Sequence, residues 1–119
     1  MKVKFDKKSD VLVVSISGEL DHHTAAPLRE AIDSKIMEIS TRKLLIDLSG
    51  MELMDSSGIG VIMGRYRLMN SLGGAVCVSG ASPSIGRIIE LSGLTKLICM
   101  CKTVEEGIGL LKGGIKNEK

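Results

Sequence analysis

Two short stretches concentrate the side chains able to do chemistry. One reads Gly18-Glu19-Leu20-Asp21-His22-His23-Thr24, the other Glu52-Leu53-Met54-Asp55-Ser56-Ser57-Gly58-Ile59-Gly60. Asp and Ser ahead of a periodic apolar run suit a helix N-cap, where a side-chain oxygen accepts the free N–H groups of the first turn. One cap needs one such residue, yet Asp55, Ser56 and Ser57 stand in a row. Gly58, Gly60 and Gly64 thin the start of the next helix at a cost in helix propensity, which lets a ligand or another backbone come close.

Three chemistries fit such a turn. Dinucleotide binding would use Gly58-x-Gly60, but the third glycine, Gly64, is one residue late for G-x-G-x-x-G. No acidic residue near Val78-Ser79 closes the next strand to hold a ribose, and the P-loop pattern is absent. Nucleophilic catalysis would use Ser56 or Ser57 with His22 or His23 as base, as in a small serine hydrolase. Met54 and Asp55 stand where G-x-S-x-G requires glycine. The third is phosphorylation of an exposed serine. A phosphate brings about two negative charges to a helix N-terminus that favours anions, while Asp55 repels it; each effect is of order 1 kcal/mol, so the fold should barely respond. The surface would respond, because a partner burying the serine would have to desolvate a dianion.

The other candidates are weaker. His22 and His23 are adjacent, so their rings diverge, and a zinc site would need more ligands at legible spacing. Cys77, Cys99 and Cys101 fall in apolar runs and read as small core residues; Cys99-x-Cys101 lacks a second pair for a metal.

The elements that must position these residues are short and regular. Runs at 3–5, 11–16, 44–48, 75–78 and 97–100 are apolar without strict alternation, as strands covered on both faces are. Leu28, Ala31, Ile32, Ile36 and Ile39 mark one helical stripe; Ile59, Ile62, Met63, Tyr66 and Met69 mark another. Pro27 is awkward inside a helix, so the first helix is expected to start near Thr24, leaving Asp21, His22 and His23 in the loop. Ser82-Pro83 opens a third helix that stops at Gly93. Thr103 with Glu106 caps a fourth that ends at Lys112-Gly113-Gly114, and the tail at 114–119 is expected to fray. Arg65 and Arg67 flank Tyr66 on what reads as a solvated helix face.

This order of elements predicts the α/β class with a largely parallel sheet. Sites in such sheets collect beyond the carboxyl ends of the strands. Residues 18–24, 49–58 and 80–82 and the turn before Thr103 are then the candidate loops, with Asp21 and Asp55-Ser56-Ser57 on one rim.

Composition narrows the function. At 119 residues the chain is expected to form one domain, 1–119. A net charge of +2 is too small a footprint for nucleic acid, and Phe5 and Tyr66 as sole aromatics offer no stacking platform. The N-terminus MKVKFDKKSD lacks a signal peptide's apolar stretch, and no apolar run is long enough for membrane insertion. Three cysteines do not make a disulfide framework, so the expectation is a cytoplasmic protein with reduced thiols.

At Gly18-Glu19-Leu20-Asp21-His22-His23-Thr24-Ala25 and Met54-Asp55-Ser56-Ser57-Gly58-Ile59-Gly60-Val61 the chain resembles the STAS family, over nearly its whole length. The first run, with Gly60-Val61-Ile62-Met63-Gly64-Arg65-Tyr66, is similar to the sporulation branch of its anti-sigma factor antagonists. The resemblance implies a mixed, mostly parallel sheet of about five strands packed with about four helices. It implies no enzymatic activity and no cofactor. The partner it implies is a dimeric anti-sigma factor that is itself a serine kinase carrying ADP or ATP. The unphosphorylated chain would bind that kinase and free sigma F; phosphorylation on Ser56 would end the binding, and a serine phosphatase would reset it. Asp21, His22, His23, Asp55, Ser57, Gly58 and Gly60 would form the partner surface. An antagonist of a general-stress anti-sigma kinase is the near alternative. Pro27 departs from the family pattern, where an ordinary helix former is expected.

Overall fold

The computed structural model describes residues 1–115. Five strands form one sheet in the order β1-β2-β3-β4-β5: β1 (Lys2–Lys8), β2 (Val11–Leu20), β3 (Lys43–Met54), β4 (Ala75–Ser79) and β5 (Cys99–Cys101). β1 is an antiparallel edge, and the other neighbours pair in parallel. Four α-helices connect and cover them: α1 (His22–Ile39), α2 (Ser56–Ser71), α3 (Pro83–Leu91) and α4 (Val104–Lys112). The expected class, α/β with a mixed and mostly parallel sheet, is the class observed.

The sheet buries both faces unequally. Leu12, Val14, Leu44, Ile46 and Val76 point to the main core, closed by Leu28, Ile32 and Ile36 of α1, Ile62 and Met69 of α2, and Ile85 and Ile89 of α3. Val11, Val13, Leu45, Ala75 and Cys77 point the other way, onto Leu111 of α4.

Four expectations are corrected. First, β2 and β3 run on through 18–20 and 49–54, which read as loops. Along β2 the core-facing positions keep a period of two, but β3 carries two extra residues. Ser15 is opposite Asp47 while Ser17 is opposite Gly50, and Gly18 is opposite Met51 while Glu19 is opposite Leu53. These are β-bulges. They stretch the buried positions of β3 to Leu48, Met51 and Met54, a spacing of three that does not read as a strand.

Second, α1 starts at His22 and carries Pro27 inside it. Asp21 and Thr24 form a reciprocal cap strong enough to set the start earlier, and the exposed Pro27 leaves one helical carbonyl without its N–H partner. Third, Arg65 is buried rather than solvated, while Tyr66 is buried as its place in the apolar stripe predicts. The Arg65 Nε lies 2.8 Å from the Asp33 Oδ1 of α1, its Nη2 donates to Oδ2 at 3.3 Å, and its Nη1 donates to the Val61 carbonyl at 3.2 Å. Burial pulls the guanidinium below its ordinary pKa, the Asp33 charge opposes this, and Arg29 adds to it. Fourth, the last strand is Cys99–Cys101 instead of 97–100, because a 3₁₀ turn at Leu94–Lys96 takes up the preceding chain. Of the tail expected to fray, residues 116–119 lie outside the described residues.

Candidate functional site

The rim is built where β2 and β3 end side by side. Leu20 pairs with Met54, and the Asp55 N–H donates to the Leu20 carbonyl at 3.2 Å. The next residue of each strand starts a helix, so Asp21 and Asp55 become the N-caps of α1 and α2 on one edge of the sheet. This is the juxtaposition that the order of elements predicts.

Asp21 is tied on several sides. Its Oδ1 accepts the His23 N–H at 2.9 Å and the Thr24 N–H at 3.1 Å, and its own N–H donates to Thr24 Oγ1 at 2.9 Å. The Thr24 N–H bond leads in lowering the Asp21 pKa, helped by the His23 N–H, the Thr24 hydroxyl and the His23 charge against a desolvation penalty. The carboxylate is therefore an anion across the neutral range. The Asp21-x-x-Thr24 box was legible as a variant of the usual capping box, with Thr in place of Glu or Gln; the reading of the sequence missed it.

Asp55 Oδ1 accepts the Ser57 N–H at 2.7 Å. Ser56 is the first residue of α2 and is exposed, and among the described residues nothing hydrogen-bonds its hydroxyl. Ser57 is half-buried beside it. Only the aspartate caps, so two of the three residues in that row are free for another use.

The glycines do different jobs. Gly58 is buried, and a Cβ there would run into Met54 Cγ, with Met54 Sδ at 2.6 Å and Leu20 Cδ2 at 3.1 Å. Its missing side chain lets α2 press on the ends of both strands. Gly60 is exposed with nothing within 4 Å of its Cβ position. Gly58→Ala should gain about 1 kcal/mol of helix propensity but lose about 1–3 kcal/mol to overpacking, a net destabilisation. Gly60→Ala should instead stabilise by about 0.5–1 kcal/mol. Urea unfolding of the two variants measures both signs.

His22 and His23 sit exposed in the first turn of α1, not in a loop, with ring centroids 5.7 Å apart at 64°. Among the described residues no group of three His, Cys, Asp or Glu side chains could hold a metal ion. Nor does a hydrogen bond among the described residues join either ring to Ser56 or Ser57. Leu53, on the bulged end of β3, is 62 % exposed, and Glu19 and Glu52 are exposed nearby on the same two strand ends. In the sequence the exposed Leu53 was masked by the assumption of a loop.

A profile of the STAS domain matches residues 2–107. The chain belongs to the STAS-domain family. Among STAS relatives, the anti-sigma F factor antagonist of Paenibacillus polymyxa is 38% identical over 98 residues, covering 82% of this chain and 84% of that one. The anti-sigma-B factor antagonist of Staphylococcus aureus is 32% identical over 85 residues, covering 71% and 78%. Among solved STAS structures, that of the Bacillus cell fate determinant SpoIIAA in the phosphorylated form superposes with a TM-score of 0.73 at 28% identity, covering 91% of this chain and 97% of that one. No helix of this STAS domain, among the described residues, is long and apolar enough to cross a membrane.

Proposed function

We propose that this STAS domain is an anti-anti-sigma factor of the sporulation type, switched by phosphorylation of Ser56. In the unphosphorylated state it binds a cytoplasmic anti-sigma factor that is also a serine kinase, and sigma F is released. The kinase then transfers the γ-phosphoryl group of its ATP to the Ser56 hydroxyl, and a serine phosphatase removes it. The observation that carries this reading is the Ser56 hydroxyl itself, exposed and unbonded at the start of α2. Asp21, His22, His23, Asp55, Ser57 and Gly60 frame the docking surface around it, and Gly58, also expected there, is buried beneath it. The nucleotide belongs to the partner, and the chain itself needs no cofactor. The Paenibacillus relative supports the sigma F assignment, and the phosphorylated Bacillus neighbour supports a phosphoprotein.

The Staphylococcus relative favours a second reading, in which the partner is a general-stress anti-sigma kinase. Incubation with ATP and each kinase separately, followed by intact mass, distinguishes the two. The expected result is one added phosphoryl group with the sporulation kinase only, lost in Ser56→Ala and kept in Ser57→Ala. Phosphorylation by the stress kinase alone would transfer the function to the second reading. No added mass with either active kinase would remove the switch.

A further inference from the structure

Cysteines that read in the sequence as separate core residues come together in the fold. β4 and β5 pair with Cys77 opposite Cys99 and Ser79 opposite Cys101. Residues two apart on a strand share a face, so all three thiols lie on the face covered by α4. Cys77 belongs to the core there, and Cys99 and Cys101 pack against it.

Spacing separates the possible pairs. Directly opposed residues on neighbouring strands lie about 4.8 Å apart, inside the range of about 4.4–6.8 Å between disulfide Cα atoms. The diagonal from Cys77 to Cys101 is about 8 Å, outside that range. Cys99 and Cys101, two residues apart along one strand, are separated by about 6.6 Å, at its limit. Cys101 is also engaged elsewhere, its Sγ donating to the Val78 carbonyl at 3.6 Å and the Thr103 carbonyl at 3.5 Å. Burial pushes the Cys101 thiol up to about 11 and that of Cys77 further still, so both are held protonated at neutral pH. Cys77 is fully buried, and Cys99 and Cys101 are both half-buried.

We infer that Cys77 and Cys99 are an oxidant-responsive pair that closes into a disulfide between β4 and β5, with Cys101 outside the bond. With hydrogen peroxide as the two-electron oxidant, the half-buried Cys99 thiol is converted to a sulfenic acid with loss of one water. The Cys77 thiol, held protonated, gives up its proton as its sulfur attacks the Cys99 sulfur; that proton leaves with the displaced hydroxide as a second water, so closure is slow at neutral pH and quickens as the pH rises. The product ties the three-residue edge strand β5 covalently to the interior of the sheet. The bond closes a loop that holds α3 and the 3₁₀ turn.

The test is a count of free thiols in urea after the folded chain has met hydrogen peroxide, with peptide mapping of the linkage. The reduced chain has three thiols; the treated wild type should retain one and yield a peptide pair joined through Cys77 and Cys99. Cys101→Ala should lose both of its thiols, and Cys99→Ala should keep both. Three intact thiols in the treated wild type, a bond that includes Cys101, a bond between chains on a non-reducing gel, or sulfinic acid at Cys99 without a bond would each overturn the inference. The wild-type map alone decides it if a variant fails to fold.

Discussion

Ser56→Asp is expected to weaken binding to the anti-sigma kinase by ~30- to 700-fold, about 2–4 kcal/mol, while the fold keeps its stability within about 1 kcal/mol. The reasoning separates the two effects. At the first position of α2, a carboxylate gains from the unpaired N–H groups of the helix start, and Asp55 immediately before it repels by a similar amount. Both groups are exposed, so neither effect dominates. In the complex, the same carboxylate would have to give up its water against a surface shaped for a neutral hydroxyl. Ser56→Ala removes a hydroxyl with no internal partner among the described residues and should bind as the wild type does. Calorimetric titration of wild type and both variants against the kinase reads the difference. Equal affinity for all three would place the docking surface elsewhere on the molecule.

The second large effect concerns stability. Asp33→Ala should cost about 2–3 kcal/mol, or roughly 8–12 °C in Tm. The loss comes from stranding the Arg65 guanidinium, whose side chain is 5 % exposed, between α1 and α2. A fully dry pair would cost about 3–5 kcal/mol. Here the Asp33 side chain is 37 % exposed, so water takes part of its place. The Val61 carbonyl keeps one guanidinium bond in the variant. Adding Arg65→Met removes the stranded charge and should bring stability back to within about 1 kcal/mol of the wild type. Thermal unfolding of the two single variants and the double variant gives the coupling directly. A double variant no more stable than Asp33→Ala would mean that the arginine contributes by packing of its stem rather than by charge.

What could be read in the sequence divides along physical lines. The α1 stripe of Leu28, Ile32 and Ile36 and the Ser82-Pro83 start of α3 were legible, because helical period and capping chemistry are local. Asp21 and Asp55 on one rim followed from the order of elements alone. Arg65 was misread because its ion partner sits 32 residues away on another helix, and no local signal marks that pairing. Pro27 does not set the start of α1, because the Asp21–Thr24 cap outweighs the one helical hydrogen bond that the proline removes. The three thiols looked separate because the register of β4 against β5 is a tertiary fact. The exposed Ser56 hydroxyl needed both levels: the row of polar residues raised the question, and the bond that the Ser57 N–H donates to Asp55 shows which of them caps.

The two bulges in β3 make the rim depend on a residue count. β2 has 10 residues and β3 has 12, yet they finish level at Leu20 and Met54. One inserted residue reverses the parity of a strand, turning core-facing side chains outward, and a second reverses it again. Met54 therefore faces inward, and Asp55 and Ser56 reach the edge in phase with Asp21. The first insertion is pinned by Asp47, whose carboxylate accepts the Ser49 N–H and hydroxyl, each at 3.1 Å. Substitutions at the exposed Glu52 or Leu53 can alter the face shown to a partner without moving Ser56, whereas a Cβ at Gly50 would lie 2.8 Å from the Ser17 Cβ and push the two strands apart. A single-residue deletion between Asp47 and Met54 would put that serine half a repeat out of step.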